Sequence, residues 1–453
     1  MIKTRRSAGF SLPLISFVPF LKSSDLFSVS DFGFRVFTSS FLLASILLPL
    51  QAGDWPQWRG PTRDGHASID SPRIVSLPKE LNPIWRLPIG GGFSSPIVAD
   101  GKLVYLDEQQ GKEVAHLLAA ANGKEIWSVP YATAFQDEWG AGPRATPLLD
   151  GERLYVQSCD GEFRCLNLSD GKTIWSANFE NDFGMKFFGT KLTEGTAVRR
   201  GNNGCGVIAS QRLVVPVGST NNGATLVCFD KLNGKVLWKT GHDEVAYSSP
   251  IITTLAGIEQ VVAFTAEALL GAQLEDGRIL WRVPFRTDAR RHAASPMIVG
   301  DTVLVNSHTF GLAATRISQD SAGLRATSAW LNRSLKINLS TPVLVGDYVY
   351  SQGVSPDYIC ADARTGELKW SQPGFAGGKE AYAATIVAGG KLLVLTHDGQ
   401  LLLLAADPAK YTELGRLQVC GKTWSFPAYA KGILYIRDRR ELLSLDLSDL
   451  GGK

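Results

Sequence analysis

Asn122-Gly123-Lys124-Glu125-Ile126-Trp127 returns as Asp170-Gly171-Lys172-Thr173-Ile174-Trp175, as Asn233-Gly234-Lys235-Val236-Leu237-Trp238, as Asp276-Gly277-Arg278-Ile279-Leu280-Trp281 and as Thr365-Gly366-Glu367-Leu368-Lys369-Trp370. The five segments share one pattern: a turn residue, glycine, a mostly charged residue, two spacers and tryptophan. Trp85 and Trp330 stand at compatible intervals with looser versions of it. A unit repeated at this spacing cannot bury its apolar face alone and must stack on its neighbours.

A second marker alternates with the first. Ser95-Pro96, Thr146-Pro147, Ser249-Pro250, Ser295-Pro296 and Thr341-Pro342 each open a short apolar run, and Val207, Thr385 and Pro427 begin similar runs. Between the markers lie hairpins. The second unit reads Pro147-Leu148-Leu149, Asp150-Gly151, Arg153 to Gln157, Asp160-Gly161, Phe163 to Asn167. Asp-Gly suits a two-residue turn because both central positions need φ > 0. Each unit therefore holds three strands and a fourth that carries the tryptophan. The expected fold is all-β: an eight-bladed propeller of four-stranded antiparallel blades. Its blade tryptophans are Trp85, Trp127, Trp175, Trp238, Trp281, Trp330 and Trp370, with an eighth outer strand near Gly415–Val419 that has none. Trp85 precedes every inner strand, and the last unit stops without an outer strand. The N-terminal strand is thus expected to complete the last blade and remove the exposed edges.

The rest of the chain sets the context. Residues 1–35 carry Lys3, Arg5, Arg6, Lys22 and Arg35, and an apolar run from Val36 to Leu50 ends at Gln51-Ala52-Gly53. A basic region, an apolar core too short for a span and small residues at its end describe a signal peptide or leader over 1–52. Residues 53–79 then read as an N-terminal extension and 80–453 as the propeller. The chain is expected in the periplasm or outside the cell, with no membrane span once the leader is removed. A net charge of +3, from 46 basic and 43 acidic residues in 453, provides no field for nucleic acid.

The Gly-Lys-x-x-Trp repeat with Ser/Thr-Pro openers resembles the pyrroloquinoline-quinone-like propeller repeat across roughly residues 80–447. That family includes quinoprotein alcohol dehydrogenases and the propeller lipoprotein of the outer-membrane β-barrel assembly machinery. Trp55-Pro56-Gln57-Trp58-Arg59-Gly60-Pro61 also resembles the start of exported propellers of this kind. The resemblance implies two functions: binding of an envelope protein, or quinone-dependent oxidation with calcium. The dehydrogenases of the family hold pyrroloquinoline quinone with a calcium, a carboxylate base, an arginine and often paired cysteines. Here no two cysteines are adjacent, and no acidic cluster offers the six to eight oxygens that calcium takes. No cofactor and no metal are therefore expected.

Loops on a rigid scaffold are where function gathers. The residues just before each inner strand are expected to ring the channel mouth: Phe93, Arg144, Asn202, Asn203, Tyr247, Arg291, His292, Tyr382 and Trp424. Arginines and aromatics on a concave surface suit a protein, peptide or glycan. Two long connections, 131–145 and 178–206, are expected to bind or cap. The competing reading of any one of these residues is an ordinary solvated loop. Trp55 and Trp58 are expected to pack along the side or rim. Cys165, Cys228 and Cys360, each ten residues before a blade tryptophan, read as small buried hydrophobes. Cys159, Cys205 and Cys420 have no such register, and a disulfide among them is left open. Catalytic motifs are missing: no GxSxG, HExxH or P-loop occurs. The expected protein is an exported, monomeric, non-catalytic binding propeller. Its alternatives are a quinoprotein oxidoreductase acting on alcohols or sugars and, third, a hydrolase or lyase using Asp137, Glu138 and Asp288.

Overall fold

The computed structural model describes residues 53–186, 201–288, 290–375 and 382–451. The leader expected over 1–52 and part of the second long loop lie outside these residues.

Eight four-stranded antiparallel sheets follow one another along the chain. Blade 1 consists of Ile97–Ala99, Lys102–Gln109, Lys112–Ala119 and Glu125–Thr133. Blades 2 to 7 repeat it in order, with inner strands beginning at Leu148, Val207, Ile251, Met297, Val343 and Ala383. Blade 8 is Ala428–Ala430, Ile433–Arg437 and Glu441–Asp446, completed by Trp85–Pro88 from the other end of the chain. Trp85 lies opposite Ser444 and Pro88 opposite Glu441. The ring closes as the repeat arithmetic requires.

The core lies between blades. Leu154 and Val156 face the blade 1 side of their sheet, whereas Tyr155 faces blade 3. This is the two-residue strand period with both faces buried. Six apolar clusters each bridge one pair of neighbouring blades. A seventh joins blades 7, 8 and 1 and takes in Trp55 and Ile74. Arg437, fully buried, fastens blade 8 to blade 1 by donating to the Leu106 carbonyl and to that of Gly90 (3.1 Å).

The repeat pattern has a geometric cause. Each blade tryptophan sits opposite the third strand, six of the seven beside a bulge, and at three of them the opposite residue is Cys165, Cys228 or Cys360. At Trp85, Trp127, Trp175, Trp238 and Trp330 the indole crosses to the next blade and lies on the turn glycine there, whereas Trp370 crosses to a turn without glycine and donates to the Asp407 carbonyl (2.9 Å). A Cβ on Gly234 would meet the Trp175 ring at 2.6 Å, and one on Gly277 would meet Trp238 at 2.5 Å. At four of these five, Trp330 being the exception among the described residues, the indole N–H then donates to the carbonyl three residues before that glycine. The bonds are Trp85 to Ala120 (2.9 Å), Trp127 to Leu168 (2.9 Å), Trp175 to Lys231 (3.1 Å) and Trp238 to Leu274 (3.1 Å). Blade 5 replaces the Gly-Lys turn with the long hairpin Gly311–Asp320/Gly323–Asn332, so Trp281 donates within its own blade to Gln260 (2.6 Å). In blade 7 the tryptophan position is Gly415, and Leu77 of the extension packs where the ring would be.

The Ser/Thr-Pro openers also acquire a cause. The Phe426 N–H donates to Ser95 Oγ (3.0 Å), Ser95 N–H to Thr146 Oγ1 (3.2 Å) and Ser295 N–H to Thr341 Oγ1 (3.2 Å). Blade 3 has Cys205 at this point. The Cys205 thiol accepts from Thr146 N–H (3.2 Å), and its own N–H donates to Ser249 Oγ (3.0 Å). Each hydroxyl or thiol thus ties the opening of one blade to its neighbour around the mouth.

Trp55 and Trp58 require a correction: they lie on the axis, not on the side or rim. Trp55, 1% exposed, exchanges backbone bonds with Val98 of the first inner strand (2.7 and 2.9 Å). The segment then reaches Leu149, Gly206, Ser295, Pro342, Leu344 and Val387, which belong to or directly precede the inner strands of blades 2, 3, 5, 6 and 7. Residues 55–67 therefore plug the channel. Composition alone does not reveal this, because a charged, glycine-rich stretch outside the repeat has the same character as a surface loop.

Candidate functional site

One cavity of about 430 Å³ opens at the mouth, and every one of the eight blade-to-blade connections contributes to its lining. Its plug residue is Trp58, whose indole packs edge-on against Phe426 (5.4 Å) and donates to Ser295 Oγ (3.3 Å). The site is a cup rather than a tunnel.

Seven of the nine mouth residues read from the sequence line this cup: Phe93, Arg144, Asn203, Tyr247, Arg291, Tyr382 and Trp424. Asn202 and His292 do not. Asn202 is 1% exposed and donates to the Pro216 carbonyl (2.6 Å). His292 is fully buried, with Nδ1 2.6 Å from the Thr265 carbonyl and its ring stacked on Phe264 at 4.2 Å. Both serve packing beside an inward-facing neighbour, Asn203 and Arg291 respectively. Successive residues of an extended chain face opposite ways, so a shift of one position separates a lining side chain from a core one.

The two walls differ in character. Where the chain ends meet, Phe93 stacks on Trp424 (5.6 Å) and Trp139 meets Trp424 edge-on (5.0 Å). Arg144 lies over the Phe93 face at 4.3 Å, within cation–π range. It is held by Asp137 (2.7 Å) and the Gly140 carbonyl (2.9 Å). The first long connection forms the small hairpin Gln136–Asp137/Gly140–Ala141 that presents Trp139. Its base is tied by Glu113, which accepts from Tyr131 Oη (2.7 Å) and Phe135 N–H (3.3 Å). Burial raises the Glu113 carboxyl to about 7. Across the mouth stand Tyr247, Arg291, Asn338 and Leu339. Among the described residues Arg291 has no ion pair, and the Tyr382 hydroxyl and Trp424 indole N–H are buried without a partner. Burial pushes the Tyr382 hydroxyl far above the usual phenol range. It is a neutral donor at any physiological pH.

Sequence reasoning missed Trp58, Trp139, Asn338 and Val354 in this lining. The length of the 131–145 connection was the signal that could have found Trp139. Asp288 is exposed and absent from the lining, as is Glu138, so the carboxylates considered for hydrolysis do not converge. The six cysteines are free thiols. Cys159 and Cys205 are each engaged in local contacts, the former donating to Asn203 Oδ1 (3.3 Å). Quinone with calcium fits this lining poorly. Its aromatics and arginines would suit a planar anion, but its one carboxylate, Asp137, is already paired with Arg144. Calcium would find too few oxygens.

Fold and site define a closed repeat propeller with a blind, aromatic-walled cup at one mouth. The family model for outer membrane protein assembly factor BamB matches residues 110–334 and 323–412, and the chain belongs to that family. It is 25% identical over 339 residues to outer membrane protein assembly factor BamB of Burkholderia pseudomallei, covering 70% of this chain and 74% of that protein. The crystal structure of BamB from Moraxella catarrhalis superposes with a TM-score of 0.53 at 13% identity, covering 82% of this chain and 98% of that one. The computationally designed Ika8 protein gives the same TM-score at 10% identity, over 83% and 100% of the two chains. At these identities the structures speak for fold alone.

Proposed function

We propose that the protein is an exported, non-catalytic propeller that captures a protein segment in its mouth cup, in keeping with the assembly role in its family's name. The observation that carries this is the lining itself. Every blade connection contributes to one cavity, its bottom is sealed, and its walls pair an aromatic face with a guanidinium that has no ion pair among the described residues. Such a surface recognises an extended peptide that offers an apolar or aromatic side chain to Trp139 and Trp424 and a carboxylate to Arg291. The sealed bottom favours an inserted side chain or chain end over a threaded strand.

The test compares wild type with the double variant Trp424→Ala/Arg291→Ala in pull-downs from an envelope fraction. Wild type should retain a protein partner that the variant loses, with little change in melting temperature. Equal retention would contradict the proposal, and retention of a glycan instead would redirect it. Saturable tryptophan quenching by pyrroloquinoline quinone with calcium, accompanied by dye reduction with alcohols or sugars, would overturn it.

A further inference from the structure

Deeper along the channel, the plug encloses a second cavity of about 270 Å³ against the inner strands of blades 4, 5 and 6. Arg59 and Arg63 both line it, at 1% and 5% exposure. Neither forms an ion pair among the described residues. Arg59 Nη2 donates to the carbonyls of Asp64 (2.8 Å) and Pro342 (2.6 Å). Arg63 Nη1 donates to Gln57 Oε1 (3.1 Å) and the Gly206 carbonyl (2.9 Å). Arg59 Nε and Arg63 Nε and Nη2 are buried with no acceptor.

Two desolvated guanidiniums lining one cavity repel one another and are among the costliest groups a fold can bury. One carboxylate, Asp64, stands in the lining, but it is exposed and already accepts from Thr62 Oγ1 (2.6 Å) and His66 N–H (2.9 Å). The backbone is constrained here as well. Arg59 and Arg63 both have φ near 61°, and Gly60 and Gly65 have φ of 84° and 85°. Left-handed non-glycine residues persist only where the surroundings over-determine them, and they gather at ligand sites.

We infer that Arg59 and Arg63 hold a tetrahedral oxyanion of the phosphate or sulfate class in this axial cavity, and that the anion locks the plug in place. Several acceptor oxygens on one small ion can serve several N–H groups at once, which a single-point halide does not. The site is separate from the mouth cup and independent of what binds there.

The test titrates sodium sulfate and, separately, sodium phosphate into the full chain by calorimetry at fixed ionic strength, with sodium bromide as the halide arm. Saturable one-to-one heat is expected for the oxyanions. The melting temperature should rise by about 3 °C at a hundred times Kd. Arg63→Gln should weaken binding at least about tenfold. Selenate-soaked crystals should show an anomalous peak between the two guanidiniums. Absence of saturable heat in wild type, bromide binding as tightly as sulfate, or a selenate peak elsewhere would overturn the inference. Should Arg63→Gln fail to fold, the wild-type titration and the selenate position still decide.

Discussion

The outer rim and the axis of this molecule obey opposite rules. At the rim one device recurs: an indole on a neighbour's glycine, with its N–H on the carbonyl three residues earlier. On the axis nothing recurs. A single non-repeating segment, 55–67, meets the inner strands of several blades, each through a different contact. Repetition specifies a ring because every junction solves the same packing problem. A ring alone leaves a hole, and filling it needs a sequence unlike the repeat. The difference shows where specificity can reside, because side chains at the mouth are free to vary while junction side chains are not.

The largest expected effect breaks the rim. Deleting residues 80–90 removes the strand that completes blade 8 and leaves Glu441–Asp446 as an unpaired edge. The product should aggregate, and size-exclusion chromatography should find no monomer. Next, Trp175→Ala should cost about 3–5 kcal/mol in chemical denaturation. Trp330→Ala should cost about 1 kcal/mol less, because the Trp330 indole N–H has no acceptor among the described residues. Equal costs would mean that the indole hydrogen bond contributes nothing.

At the mouth, Glu113 supports the hairpin that presents Trp139. Its folded-state carboxyl is raised to about 7, so between about pH 4.5 and pH 7 the native state holds a proton that the unfolded state has lost. Stability from this group is fully present below the unfolded value and declines as pH rises through the folded one, by at most about 3 kcal/mol. Glu113→Gln should flatten that slope in denaturation measured from pH 4.5 to 8. An unchanged slope would assign it to other groups.

Glycines sharpen the contrast at smaller scale. Gly234 and Gly257 both have positive φ, but only at Gly234 would a Cβ strike an indole. Gly257→Ala should cost about 1 kcal/mol from backbone strain alone, and Gly234→Ala about 1–3 kcal/mol more from overpacking. The smallest effect belongs to Cys205. Cys205→Ser keeps an acceptor for Thr146 N–H and should shift stability by less than about 0.5 kcal/mol, whereas Cys205→Ala orphans that N–H and should cost about 1–2 kcal/mol.

The same contrast separates what could be read from the sequence and what could not. Blade number, inner strands and closure through Trp85 were legible because each rests on a short local pattern repeated many times. The mouth was legible as a ring of positions, since connections preceding an inner strand must gather there. The facing of individual residues was not: Asn203 and Arg291 turn inward while Asn202 and His292 turn into the blades. That choice is set by the pleat, which shifts with every bulge. The plug was illegible for a different reason. Arg59 and Arg63 meet the repeats only through backbone carbonyls, which any residue presents, and burial of two arginines contradicts what residue type alone predicts.

The central claim is that the channel is filled by the chain's own N-terminal segment, and amide hydrogen exchange tests it most directly. Trp55, Gly65 and Ala67 bond through their N–H groups to Val98, Arg59 and Val387. Peptides spanning 54–68 should exchange as slowly as those of the inner strands in blades 1 and 7. Exchange within seconds, at the rate of an exposed loop, would contradict the account and leave the mouth as one end of an open tunnel.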